Sequence, residues 1–202
     1  MSSHKFSGSS AIIEFARTHT DIIGPDDTIL VDEIGDGNIN FVYRVSDSHE
    51  NSAIVKQALP YIRIIGEGWP LTLERIRIEA ETLQIEAQFA PAYVPQLYYF
   101  DQNLFAIAME DIGDHDNLRH SLIHRKALPK LAEHLAEFLA QTLFHTCELA
   151  LTPGAFNEQQ NRFLNSELCG ITEEVFFLDP YCDHERNNIN PLLTSDAAHM
   201  WQ

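Results

Sequence analysis

Positive charge is scarce in this sequence. It carries 13 Lys and Arg against 30 Asp and Glu, a formal net charge of −17 at pH 7. A nucleic-acid surface or an anionic bilayer requires a basic footprint, so neither is expected as a partner. A small anionic ligand is not excluded, because it needs only a few local cations. Cysteine is also scarce. Cys147, Cys169 and Cys182 are odd in number and show no CxxC spacing. That usage fits a reduced, cytoplasmic compartment. No apolar run approaches membrane-spanning length, and residues 1–10 hold no apolar signal region. Internal repeats and low-complexity segments are missing too.

What is present is a globular chain. With 202 residues and 45% apolar content it can bury a real core, as one domain or as two small lobes. Ser9 and Ser10 can cap a short helix over 11–18. Gly24-Pro25-Asp26-Asp27 marks a turn. Strands are expected over 28–34, 38–45 and 52–58, the second with Ile39, Phe41, Tyr43 and Val45 on one face. Residues 61–70 read as irregular chain. A helix follows over 72–89, with Leu73, Ile76, Ala80, Leu83 and Ala87 at helical spacing. Two more strands are expected at 96–100 and 104–110. Beyond Asp111 the pattern turns helical, at 118–123, 128–149 and 158–177, with a loop at 153–157. In the long helix Leu131, Leu135, Phe138, Leu139, Thr142 and Leu143 form the stripe expected to be buried. Part of the apolar surface on the 128–149 and 158–177 helices is expected to remain uncovered.

The order strand, strand, strand, helix, strand, strand predicts an α+β protein. It is the five-stranded antiparallel N-lobe with one helix of the protein-kinase-like fold, followed by an incomplete helical C-lobe. The division expected is 1–112 for the nucleotide-binding lobe and 113–202 for the partial C-lobe.

The candidate chemistry follows that layout. Gly35-Asp36-Gly37-Asn38-Ile39-Asn40 is a glycine turn between two strands. Alone it is an ordinary hairpin signal. Lys56, one strand later in Ala53-Ile54-Val55-Lys56-Gln57, makes it informative. In a kinase lobe a glycine turn brings backbone to the phosphates and a strand lysine pairs with them. A lysine among apolar neighbours is costly unless paired. Glu79 is the expected partner, with Glu81 second because it sits on another side of the helix. Asn40 can reach a phosphate or a metal with its amide. Glu110, Asp111 and Ile112 stand where a hinge would read adenine through backbone groups. His120 and His124 have i, i+4 spacing but no third ligand, so a solvated helix face is preferred to zinc. Asp114-His115-Asp116 is read as a cap for the next helix. Asp183 with Asn188 matches the spacing of a catalytic loop, but Tyr181-Cys182 precedes it where a His-x dipeptide is expected, and no second acidic metal ligand follows on a hairpin. No catalytic and no metal residue is therefore assigned.

Longer strings carry a resemblance. Ile54-Val-Lys-Gln-Ala-Leu-Pro-Tyr61, Gly66-Glu-Gly-Trp-Pro-Leu-Thr-Leu73, Met109-Glu-Asp-Ile-Gly-Asp-His115, Glu167-Leu-Cys-Gly-Ile-Thr-Glu173, Asp179-Pro-Tyr181 and His184-Glu-Arg-Asn-Asn188 occur in order along nearly the whole chain. Together with the glycine turn, the chain resembles the N-terminal half of the S-methyl-5-thioribose kinases. These lie in the aminoglycoside-phosphotransferase and choline-kinase group of the protein-kinase-like fold.

The resemblance implies transfer of the ATP γ-phosphate, with Mg²⁺, to O1 of S-methyl-5-thioribose, a step of methionine salvage. It implies ATP contacts at Asn40, Lys56 and Glu110–Ile112, a phosphate loop at Gly35, Asp36, Gly37 and Asn38, a mobile loop around Trp69, and a homodimer. Gly68 stands where serine is expected. The family's His-Gly-Asp loop, Asp-x-Glu metal pair and sugar-binding arginines find no match, so the Mg²⁺ ligands are expected in a missing half. Because those parts supply most of the catalysis, this chain alone is expected to be inactive. The competing readings are a non-catalytic nucleotide-binding fragment and another small-molecule kinase of the same fold.

Overall fold

The computed structural model describes residues 5–24, 28–35 and 37–182. It divides into two compact units, residues 1–163 and 164–202. The first holds a five-stranded antiparallel sheet in the order β1-β2-β3-β7-β6. Its strands are β1 (Leu30–Glu33), β2 (Phe41–Ser46), β3 (Ser52–Gln57), β6 (Leu97–Asp101) and β7 (Ala106–Glu110). The α+β class and the kinase-like N-lobe order read from the sequence are what the chain adopts. The last strand, β7, runs beside β3 and leaves β6 at the edge, so Lys56 on β3 lies between Val42 on β2 and Ile107 on β7.

Each face of this sheet carries one helix. Alternation along β2, β3 and β7 sends Val45, Val55, Ala106 and Ala108 to the face covered by α1 (Ser9–His19). There they pack with Ile12, Phe15, Ala16 and Ile23. The opposite face sends Ala58 and Ile107 against Ile76 and Ala80 of α2 (Glu74–Phe89). Val45, Val55, Ile76 and Ile107 are fully buried, each worth about 1.5–3 kcal/mol of transfer free energy. Small residues in β7 (Ala106, Ala108) let α1 approach closely. Gln57, which is buried on the α1 side, is satisfied because it accepts from the Phe6 N–H and donates to the Leu104 carbonyl.

Several local expectations are corrected. Ser9 and Ser10 lie inside the first turn of α1; the N-cap is Gly8, without a side-chain cap. Residues 61–70 are not irregular. They form a hairpin of β4 (Tyr61–Ile62) and β5 (Gly66–Pro70), turning at Gly66, whose φ of 78° suits glycine. The polar cluster at 114–116 does not cap α3 (Leu118–Ile123). Asn117 does, accepting from the Arg119 N–H at 2.9 Å, while Asp116 is drawn into an ion pair with Lys126. Pro153 opens α5 (Pro153–Phe163), where a first-turn proline forfeits no hydrogen bond. In α4 (Leu131–Thr146) the expected buried stripe fails. Only Thr142 is buried, whereas Leu135, Leu139 and Leu143 are exposed.

The second unit begins with α6 (Ser166–Glu173), capped by Asn165, and continues through a π turn, Glu174–Leu178, into a short 3-10 turn, Asp179–Tyr181. Phe176, Phe177 and Leu178 are exposed. Asp183, His184, Asn188 and Asp36 lie outside the described residues. Among the described residues no helix is long and apolar enough to cross a membrane.

Candidate functional site

Lys56 is the only charged residue of β3 and points to the face covered by α2. Its Nζ donates to Glu79 Oε1 at 2.5 Å, with side-chain exposures of 22% and 29%. Strand alternation and helical phase produce this meeting. Val55 turns to the α1 side, Lys56 to the other, and Glu79 precedes the buried Ala80 on the sheet-facing arc of α2. Two groups so far withdrawn from water are costly to leave half-paired. Glu81 is engaged elsewhere. It accepts from Arg77 at 2.9 Å and from Arg162 at 2.7 Å, and those guanidiniums, Arg162 first, hold its carboxyl below the usual range.

The glycine turn leads into β2. Neither Gly35 nor Gly37 has the left-handed backbone seen at Gly66. A Cβ on Gly35 would meet nothing within 4 Å, and one on Gly37 only ordinary contacts at 3.6 and 3.7 Å. Their missing side chains are thus not required by the turn itself. They leave backbone open to close approach from outside.

Arg63, in the β4–β5 turn, lies against that glycine turn. Its Nε donates to the Gly37 carbonyl at 2.8 Å, Nη2 to the Gly35 carbonyl at 2.7 Å, and Nη1 to Glu33 at 3.0 Å. Backbone bonds from Arg63 to Ile39 and from Ile64 to Asn38 complete the seam. Tyr43 lies in the same neighbourhood, where burial first and Glu33 second push its phenol up. Asn40, buried, does not present its amide oxygen freely. Oδ1 accepts from Arg75 Nε at 2.7 Å. Arg75 is itself buried and also donates to the carbonyls of Leu59 and Thr72.

At the end of β7 the hinge candidates are fixed from behind. Glu110 exchanges two bonds with Gln96, backbone to backbone at 2.8 Å and side chain to backbone at 2.9 Å. The Asp111 side chain, 6% exposed, lies 2.6 Å from Arg44 Nε and accepts from Ser52 Oγ at 2.8 Å. Arg44 fills the space beside Gly113, where a Cβ would come within 2.5 Å of its Nη2. Asp111 therefore serves as a strand-end anchor, and Ile112 is left exposed. Trp69 sits half-buried on β5.

The structure thus brings Lys56 to Glu79, Asn40 to Arg75, and the glycine turn to the hairpin that bears Trp69. Three arginines that fix these places and the end of β7, namely Arg75 on Asn40, Arg63 on the glycine turn and Arg44 on Asp111, escaped the reading of the sequence. One signal was available: Arg75 occupies a stripe position next to Ile76, where a charge demands buried partners. Among the described residues no group of three His, Cys, Asp or Glu side chains could hold a metal ion, and His120 and His124 are exposed.

No protein-family model matches the chain. Curated relatives do. A methylthioribose kinase of Yersinia pseudotuberculosis is 46% identical over 200 residues, covering 98% of this chain and 49% of its own length. The Yersinia enterocolitica methylthioribose kinase is 46% identical over 98% of this chain and 50% of its own length. That of Pectobacterium atrosepticum is 45% identical over 186 residues, 92% of this chain and 46% of its own length. A crystal structure assigned as a fructosamine-3-kinase from Thermobifida fusca overlaps 67% of this chain and 40% of its own, at 23% identity and a TM-score of 0.43. That likeness is too loose to carry a residue assignment. The sequence relatives carry more: this chain is a homologue of the methylthioribose kinases, and it spans about half the length of the curated relatives it matches.

Proposed function

We propose that residues 1–112 form the nucleotide-binding lobe of an ATP-dependent kinase for S-methyl-5-thioribose, acting at O1 in methionine salvage. The Lys56–Glu79 pair carries the proposal. A half-buried strand lysine, held at 2.5 Å by a helix carboxylate and paired across to Val42, two residues beyond Asn40 at the end of the glycine turn, is placed to meet phosphate. The uncrowded glycines support it, since they leave room for phosphate oxygens against backbone. The residues present fit ATP. Lys56 would neutralise phosphate charge, Asn38 would offer a backbone N–H, and Asn40 would offer its Nδ2. The backbone at Glu110–Ile112 would receive the adenine edge, held still by the Arg44–Asp111 contact. Bound ATP supplies the phosphoryl group; the chain's own share is to grip and orient it.

The described residues do not fit a Mg²⁺ site of their own, and no step is assigned through the metal. The helices beyond residue 112 are assigned to the partial C-lobe. A homodimer and a mobile Trp69 loop belong to the same proposal, as does the placement of the protein in the cytoplasm.

The test is titration calorimetry with ATP on the whole chain, alongside a coupled ADP-release assay with Mg²⁺ and S-methyl-5-thioribose. ATP is expected to bind weakly, with no turnover. Lys56→Ala is expected to lose at least tenfold in ATP affinity, the scale of one charge-assisted contact. Equal ATP binding by wild type and Lys56→Ala would refute the assignment of the lysine. Turnover abolished by Asp183→Ala would show that the catalytic base lies within this chain.

A further inference from the structure

We infer that Arg63 is a positioning residue for the phosphate loop: it holds the carbonyls of the glycine turn so that the Asn38 N–H is presented to an anion. The inference rests on the nucleotide-binding reading above. Its geometric basis is the trans peptide. Carbonyl and N–H of one peptide unit point in opposite directions, and no cis peptide bond occurs among the described residues. The Gly37 carbonyl accepts from Arg63 Nε at 2.8 Å and is also reached by Nη2. The N–H across the same peptide belongs to Asn38, so it is directed away from Arg63. Asn38 is exposed, and among the described residues its N–H has no acceptor. A glycine turn could otherwise flip this peptide at little steric cost, because neither glycine is crowded. One guanidinium bridging Gly35 and Gly37 removes that freedom before ligand arrives.

The same contacts argue against a direct role. Nε, Nη1 and Nη2 of Arg63 are already committed to Gly37, Glu33 and Gly35, and its side chain is 16% exposed. A residue so occupied acts on phosphate through the turn. It also joins the turn to the β4–β5 hairpin, since the backbone of Arg63 and Ile64 bonds to Ile39 and Asn38. The turn and the Trp69 hairpin are one mechanical unit.

The experiment compares wild type, Arg63→Gln and Arg63→Lys by titration with ATP, ADP and adenosine, and follows the Asn38 amide proton by NMR. Wild type is expected to show a downfield shift of that amide with ATP or ADP and none with adenosine. Both variants are expected to lose about tenfold in affinity for ATP and ADP, the worth of about one charge-assisted hydrogen bond, with adenosine affinity unchanged. Lysine fails to rescue because a single ammonium cannot hold both carbonyls in a planar fork. Full retention by Arg63→Lys with loss in Arg63→Gln would mean a direct charge contact and would overturn the inference. So would an unmoved Asn38 amide in nucleotide-bound wild type. If wild type bound no ATP at all, the nucleotide-binding reading itself would fall, and the inference with it. If wild type bound ATP and all variants matched it, only the role of Arg63 would fall.

Discussion

Replacing Arg75 by Met keeps the stem volume and removes every donor, and the structure sets how much that should cost. The guanidinium donates to Asn40 Oδ1 at 2.7 Å and to the Leu59 carbonyl at 2.7 Å, both in buried surroundings, and to the Thr72 carbonyl nearer the surface. Leaving a buried acceptor unmade costs about 1–3 kcal/mol, so two of them cost about 2–6 kcal/mol. Withdrawing a charge from the interior returns on the order of 1–2 kcal/mol. Taken at their midpoints these leave a net loss of about 2–3 kcal/mol, a large share of the about 5–15 kcal/mol typical of a domain. In a chain of this size that lowers Tm by about 4–12 °C. Urea unfolding is the sharper assay, since a lower midpoint at constant slope isolates stability from changes in the unfolded state. Arg75→Lys should recover only part of the loss, because an ammonium cannot reach Asn40 and Leu59 in the geometry of the fork. A midpoint for Arg75→Met within about 0.5 kcal/mol of wild type, the range of ordinary surface substitutions, would refute the claim that this arginine organises the junction between α2 and the start of β2.

Two further outcomes follow from single contacts. Gly113→Ala should destabilise by about 1 kcal/mol, because the entropy gain of alanine is outweighed by displacing Arg44 from Asp111; in an Arg44→Ala background the same change should become neutral or stabilising, and persistence of the loss there would contradict the proposed clash. Glu86 lies against the apolar groove between α2, α4 and α5, and burial pushes its carboxyl above the usual range. The folded chain therefore holds that proton more tightly than the unfolded chain, so the contribution of Glu86 is complete below the unfolded carboxylate range and declines as pH rises through the raised pKa. Glu86→Gln should raise Tm at pH 7 and leave it unchanged in acid; a gain of equal size at both pH values would show that burial of the charge is not the cause.

The sequence by itself determined the order of the five sheet strands and α2, the sheet's apolar faces and the Lys56–Glu79 meeting. Periodicity is a local property: Val55 and Lys56 must face opposite ways on a strand, and Glu79 must follow Ile76 and precede Ala80 on the same arc of α2. The resemblance of the long strings to the kinase relatives was equally legible, because it too is carried by contiguous residues. Only the tertiary structure decided where the arginines go. Arg63, Arg75 and Arg44 reach 28, 35 and 67 residues along the chain to Gly35, Asn40 and Asp111, and a guanidinium on a flexible stem leaves no periodic trace of its acceptor. Burial in the helices past residue 112 was likewise out of reach. The stripe on α4 predicts an apolar face, but which part of it is covered depends on neighbouring elements, and here only Thr142 is buried. Local pattern states which groups must leave water or find partners; the packing of distant segments decides which partners they find.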